Sequence, residues 1–302
     1  MIDHIGEIAA LSVSAFWTIT AMAFESAAKR IGSYALNVLR LAVALVIFTA
    51  LGFIRGEALP LGAGGAAWFW LSLSGLVGFV FGDIFLFQSY VDIGARTSQA
   101  VFAASPLLTA LIAFALLGER VSLLGVAGML IVVAGIALVI LDGRGRPDGA
   151  AAKGMNAARR TRGVVCAFLG ALGQAGGLIL SKIGAPNSDP FVGTQIRVIA
   201  GLLGFLAVGA IWGRLREITV SVKDGKAMGS LALGAFFGPF LGVSLGLFAV
   251  QRASSGIAAT LMGLTPILIL FPAVFLKKER VTLQEAVGAI VAVGGSALLF
   301  LS

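Results

Sequence analysis

A helix needs about 20 consecutive apolar residues to cross the hydrocarbon core of a bilayer, and this sequence supplies such runs ten times over. They read as 5–27, 34–54, 66–89, 97–117, 122–141, 163–181, 191–211, 227–250, 257–276 and 282–301. Ten spans consume about 200 residues and leave about 100 for loops and ends, so the 302-residue chain has no room for a second, soluble domain. The mean hydropathy of +1.02 and a charged fraction of only 12% agree with this expectation of an all-α membrane protein. The acidic start, MIDHIGE, lacks the basic region of a cleavable signal.

The charges become informative once they are sorted by loop. Alternate loops divide the basic residues 16 to 4. The rich face holds Lys29, Arg30, Arg96, the six basic residues of the 142–162 segment, Arg214, Arg216, Lys223, Lys226, Lys277, Lys278 and Arg280; the poor face holds Arg55, Arg120, Lys182 and Arg252. The positive-inside rule places the rich face in the cytoplasm, which puts both termini outside, on the periplasmic side of a bacterial inner membrane. The formal charge of +8 is therefore topogenic and calls for no nucleic acid partner.

The chain also repeats itself. SPLLTALIAFALLGERVSLLGVAGMLIVVAGIAL (105–138) recurs as TPILILFPAVFLKKERVTLQEAVGAIVAVGGSAL (265–298), an ungapped offset of 160. Pro106 meets Pro266, Glu119-Arg120 meets Glu279-Arg280, and Gly128 and Gly135 meet Gly288 and Gly295. Earlier, YALNVLRLAV (34–43) resembles FVGTQIRVIA (191–200) and superposes Arg40 on Arg197. Five spans per repeat is an odd number, so the second half must enter the membrane inverted. The expected organisation is a five-helix repeat over 1–141, a cytoplasmic linker over 142–162 and an inverted five-helix repeat over 163–302. Pro106 and Pro266, within the fourth and ninth spans, are expected to kink them. The 41 glycines fit close helix packing in lipid.

With these features together, the chain resembles the EamA-type family of the drug/metabolite transporter superfamily. The resemblance rests on two five-helix halves, the proline-bearing fourth helix that leads to the ER pair, and the glycine-rich helix after it. Within the family the chain most resembles bacterial aromatic amino acid exporters, through its length and its aromatic third helix. The resemblance implies a secondary transporter with a central cavity lined by the first, third, fourth, sixth, eighth and ninth helices. Nucleotide sugars or other anionic metabolites are the alternative cargo, disfavoured because two phosphates demand more than Arg40 and Arg197 within the spans. A channel is the alternative mechanism.

Enzyme chemistry finds no support in the residues. A single histidine (His4), a single cysteine (Cys166) and no GxxxxGK[ST] phosphate loop leave no metal, cofactor or nucleotide site to expect. Asp83 stands alone among the acidic residues as lying well inside a span, with Arg40 at similar depth; the pair is either structural or part of gating and proton coupling. The position equivalent to Asp83 in the second half is Val243, which leaves Arg197 without a matching acid. Carbonyls, Gln174, Gln195, snorkelling or a substrate carboxylate could each satisfy it. Trp17, Phe79, Gln99, Phe102, Gln174, Phe237 and Ser244 are the further residues expected to line a path for a small amphipathic metabolite. The expected partners are that substrate, membrane lipids and protons, around a functional monomer.

Overall fold

The computed structural model describes residues 4–141, 157–186, 188–268, 272 and 282–301. Among these residues every regular element is helical. The first half contains α1 (Ile5–Ile31), α2 (Ser33–Arg55), α3 (Gly65–Gly75), a π-helical segment (Leu76–Gly82), α4 (Asp83–Phe102), α5 (Ser105–Leu117) and α6 (Leu123–Leu141). The second contains α7 (Ala157–Gly184), α8 (Pro190–Ile211), α9 (Leu215–Ser221), α10 (Gly225–Ala235), another π-helical segment (Phe236–Gly242), α11 (Val243–Arg252), α12 (Ser255–Met262), α13 (Thr265–Leu268) and α14 (Leu283–Phe300).

Uninterrupted apolar sequence makes these helices, and local chemistry ends them. Gly32 at φ 77° joins α1 to α2 in a single residue, a backbone conformation that a side chain would strain. Asp189 caps α8 by accepting the Phe191 N–H at 2.8 Å, with Pro190 in the first turn.

Six helical stretches among the described residues are long and apolar enough to cross a membrane: Ile5–Ala28, Ser33–Arg55, Gly65–Ser89, Ala158–Gly184, Pro190–Ile211 and Gly225–Arg252. The ten comparable spans expected from hydropathy are not all found at that length. The apolar stretches Ser105–Leu117, Leu123–Leu138 and Ala286–Leu299 are shorter. Turns shorten two of the remaining runs. The fourth apolar run is broken by a turn at Ala103 and Ala104, and the ninth by a turn at Gly263 and Leu264, while 269–271 and 273–281 lie outside the described residues. Pro106 therefore occupies the first turn of α5, where its missing N–H has no partner to lose, and bends no continuous helix. Pro266 stands at the equivalent place in α13, its side chain outside the described residues.

Helical turns also run through the region expected to be the loop after the third span. Asp92 is bonded to Arg162, yet Ser105 Oγ donates to the Ala171 carbonyl at 3.3 Å, nine residues further along α7. A straight helix would carry residue 105 about 20 Å past Asp92. The chain thus folds back on itself between these two residues. Residues 157–162, at the end of the expected linker, are helical and continue into α7; residues 142–156 lie outside the description.

Glycines set the helix contacts. Along α7, Gly163, Gly170, Gly173, Gly177 and Gly184 face, in turn, Ile93, Leu86, Gly82, Gly78 and Leu71, an antiparallel seam with the Gly65–Ile93 segment. A methyl group on Gly177 would lie 2.6 Å from the Gly78 Cα, so only hydrogen fits there. Likewise α1 runs antiparallel to α10 and α11: Gly6 meets Ala253, Trp17 meets Gly242, Thr20 meets Gly238 and Phe24 meets Gly234. Finally, α6 packs on α14 with Gly128 against Gly295 and Gly135 against Gly288, also antiparallel.

Candidate functional site

The first π-helical segment ends at Gly82, and Asp83 follows immediately, 5% exposed. A π turn inserts one extra residue and frees a carbonyl from the α ladder; here Gln174 Nε2 donates to the Gly78 carbonyl at 3.1 Å and to Asp83 Oδ1 at 2.8 Å. Asp83 Oδ2 accepts from Arg40 Nη2. The carboxylate is thus held by one residue of its own half and one of the other.

Phe79 lies between two guanidiniums, 6.0 Å from Arg40 and 5.0 Å from Arg197. Arg197 is 4% exposed and, among the described residues, makes no hydrogen bond or ion pair; its Nε is buried without a partner. The amides considered for it are engaged elsewhere: Gln195 donates to the Ala58 carbonyl at 3.0 Å, and Gln174 serves Asp83. Snorkelling is also excluded by its burial. The structure therefore gathers Asp83, Arg40, Gln174, Phe79 and Arg197 into one cluster, in which Asp83, Phe79 and Arg197 are buried and Arg40 and Gln174 partly so.

Trp17 and Phe237 fall in a second group. The 157-residue offset that superposes Arg40 on Arg197 also superposes Trp17 on Gln174, and each rests on the equivalent glycine, Gly242 or Gly82. Beside Trp17, the Phe16 and Phe237 rings are 5.6 Å apart. Ser244 is buried with an unpartnered hydroxyl. Phe102 is half-buried near the end of α4, in no aromatic contact among those described, and the side chain of Gln99 lies outside the described residues. An apolar groove of about 480 Å³ takes in none of the expected path residues. It lies between Leu76, Val77 and Phe81 on one side and Leu172, Gly173 and Gly176 on the other, and its Leu76, Phe81 and Leu172 are exposed.

Further polar contacts, not evident from the sequence, tie helix ends together. Glu119 Oε1 lies 2.7 Å from Lys182 Nζ and accepts from the Ser255 hydroxyl, while Oε2 accepts from the Ser255 N–H at 2.8 Å. Burial raises the Glu119 carboxyl, but the bonds from Lys182 and Ser255 and the lysine charge outweigh it, and the net direction is down. The contact ties the α5–α6 turn to the end of α7 and the start of α12, one half to the other. Glu119, Arg120 and Lys182 share the basic-poor face, a signal that could have paired them. At the opposite end Asp92, 3% exposed, takes two bonds from Arg162 at 2.6 and 2.8 Å, and those bonds hold its carboxyl below the usual range. Assigning both to the same cytoplasmic face, as the charge count does, already brought them near.

Together the helices and the inward-turned charges define a multi-span membrane protein with a polar interior. Among the described residues no group of three or more His, Cys, Asp or Glu could hold a metal. The EamA-like transporter family model matches the chain twice, over residues 4–141 and 161–301. The chain belongs to that family, and with it to the drug/metabolite transporter superfamily, whose members are transporters of small molecules and not enzymes. It is similar to a chloroplastic WAT1-related protein of Arabidopsis thaliana, 26% identical over 65% of this chain, and spans 45% of that protein's length. It is also similar to an uncharacterized transporter of Synechocystis, 25% identical over 76% of this chain and 70% of the other. A solved crystal structure superposes with a TM-score of 0.76 over 98% of this chain and 96% of its own, at 22% identity, a likeness of fold.

Proposed function

We propose that this chain is a secondary transporter that exports small amphipathic metabolites, foremost apolar or aromatic amino acids, across a bacterial inner membrane. Two inverted five-helix halves, 1–141 and 163–302, alternate access around a central path, with both termini on the periplasmic side. The observation that carries the reading is reciprocal packing: Gly128 lies on Gly295 and Gly135 on Gly288, although the repeat equates 128 with 288 and 135 with 295. Such an exchange of equivalent residues is the contact a two-fold axis in the membrane plane produces. The two π-helical segments, 160 residues apart, and the double family match support the same division.

Face assignment is supported by which loops meet. Arg30 bonds Asp224 and Arg162 bonds Asp92, all near the basic-rich loops; Arg55 bonds Asp189 and Lys182 bonds Glu119 near the basic-poor ones. In this reading Asp83, Arg40 and Gln174 form an inter-half contact that breaks as the path opens, and Asp83 is the residue through which protons would couple. Trp17, Phe79, Phe102, Phe237, Ser244, Gln174, Arg197 and Gln99 supply the walls and polar contacts of the path, and Pro106 and Pro266 the breaks beside it. The protein acts as a monomer among lipids.

Counterflow in reconstituted vesicles tests the proposal. Unlabelled internal L-phenylalanine should accelerate saturable uptake of the labelled amino acid, and a nucleotide sugar should not compete. Conductance without trans-stimulation would mean a channel instead.

A further inference from the structure

The buried cluster is not electrically balanced. Two guanidiniums, Arg40 and Arg197, face a single carboxylate, and Asp83 spends its bonds on Arg40 and Gln174. A guanidinium stays protonated at neutral pH, and within a membrane an unpaired one is costly. The shortfall is not confined to one atom. Thr194, one helical turn before Arg197 on the same face of α8, is fully buried, and its hydroxyl also lacks a partner. Of the seven buried side-chain atoms without a hydrogen-bond partner among the described residues, four belong to Asn37, Arg40, Thr194 and Arg197. The 157-residue offset equates Asn37 with Thr194 and Arg40 with Arg197, so both halves keep polar groups in reserve at the same two positions. Only the first half supplies an acid.

We infer that Arg197 and Thr194 form a binding site for a single carboxylate, with the Phe79 ring alongside for the apolar body of the ligand. This deepens the transport proposal and rests on it for the identification of the ligand as cargo. One uncompensated positive charge matches one carboxylate and falls short of a diphosphate. Guanidinium and hydroxyl both donate to carboxylate oxygens. The ring, 5.0 Å from Arg197, borders the same spot. A zwitterionic amino acid meets the requirement through its carboxylate end, and so does a simple arylalkanoate.

Thermal unfolding of the purified full-length protein, titrated with 3-phenylpropionate, its uncharged amide and sodium chloride, tests the site without transport. Saturable stabilisation by the carboxylate is expected at concentrations about tenfold or more below those the amide needs, with chloride inert. Arg197→Lys should keep the preference for carboxylate, Arg197→Gln should abolish it, and Thr194→Val should reduce it. Equal response to carboxylate and amide in the unmodified protein, response to neither, stabilisation by chloride alone, or a preference that survives Arg197→Gln would overturn the site. Should Arg197→Gln fail to accumulate, the unmodified protein and Arg197→Lys decide the matter by the same preference. Carboxylate binding without counterflow would leave the site standing and remove the transport reading; counterflow without carboxylate preference would do the reverse.

Discussion

The two long antiparallel seams, Gly65–Ile93 on α7 and Gly225–Arg252 on α1, share one backbone and differ in chemistry. Each contains a π-helical segment at the same place and a glycine at its end, Gly82 or Gly242. In the first seam glycine meets glycine, Gly78 with Gly177 and Gly82 with Gly173; in the second the facing positions carry Thr20 and Phe16. The first holds Asp83 with Gln174, where the second holds Val243 with Trp17. Even the apolar groove follows this difference. It opens where Gly173 and Val77 stand, and the equivalent Phe16 and Phe237 rings pack together in the other seam. Duplication sets the frame, and the substitutions that break its symmetry carry the charge.

The comparison breaks most sharply at Asp83. Asp83→Asn leaves two buried guanidiniums without a counter-charge and should cost about 3–5 kcal/mol, read as lost membrane abundance and a lowered Tm. Arg40→Leu added to it should restore much of the protein. If the single variant instead accumulates normally and answers an imposed proton gradient as the unmodified protein does, both the structural pair and the coupling role are wrong.

Glycine contact comes next in size. Gly177→Ala pushes a methyl against the Gly78 backbone and should cost about 1–3 kcal/mol. Gly176→Ala meets nothing nearer than Val77 Cγ1 at 3.5 Å and should be neutral or slightly stabilising. In the second seam Thr20→Ala removes hydroxyl bonds to the Phe16 and Gly234 carbonyls and should cost about 1 kcal/mol. Chemical unfolding of the three variants ranks them.

A smaller effect is expected at Glu119, whose repeat equivalent, Glu279, lies outside the described residues. The Glu119 carboxyl is held below its ordinary value, so its contribution to stability is complete above the unfolded pKa of about 4.3 and is lost as pH falls through the lowered folded value. Glu119→Gln should cost about 1 kcal/mol at pH 7 and flatten that acid limb. A limb unchanged by the substitution would assign the acid sensitivity to another carboxylate.

Much of this was legible in the sequence for a plain reason: a bilayer tolerates few solutions, so apolar run length and loop charge nearly dictate a helical, multi-span chain. The duplication was equally open, since Pro106, Glu119 and Gly128 recur in register. Span lengths were harder to read. Hydropathy registers apolar content and is blind to the turn at Ala103 and Ala104, which breaks a run without a polar residue. Pro106 marked the place, but whether a proline kinks a helix or starts one depends on whether the carbonyl four residues back is already engaged. At the site, depth alone put Arg40 level with Asp83. Sequence gives no rotation about a helix axis, so Gln174 remains one of several candidate partners for Arg197 until the structure turns it to Asp83, and the π turn that aims the Gly78 carbonyl at that amide leaves no compositional trace.

Making the second half resemble the first is the most direct test of the claim that broken symmetry carries the site. Val243→Asp supplies Arg197 with the acid that Arg40 already has. The account predicts a variant that accumulates and unfolds much as the unmodified protein does, while 3-phenylpropionate no longer stabilises it more than the amide. A variant that is lost from the membrane like any buried unpaired carboxylate, or one that keeps the carboxylate preference, would contradict it.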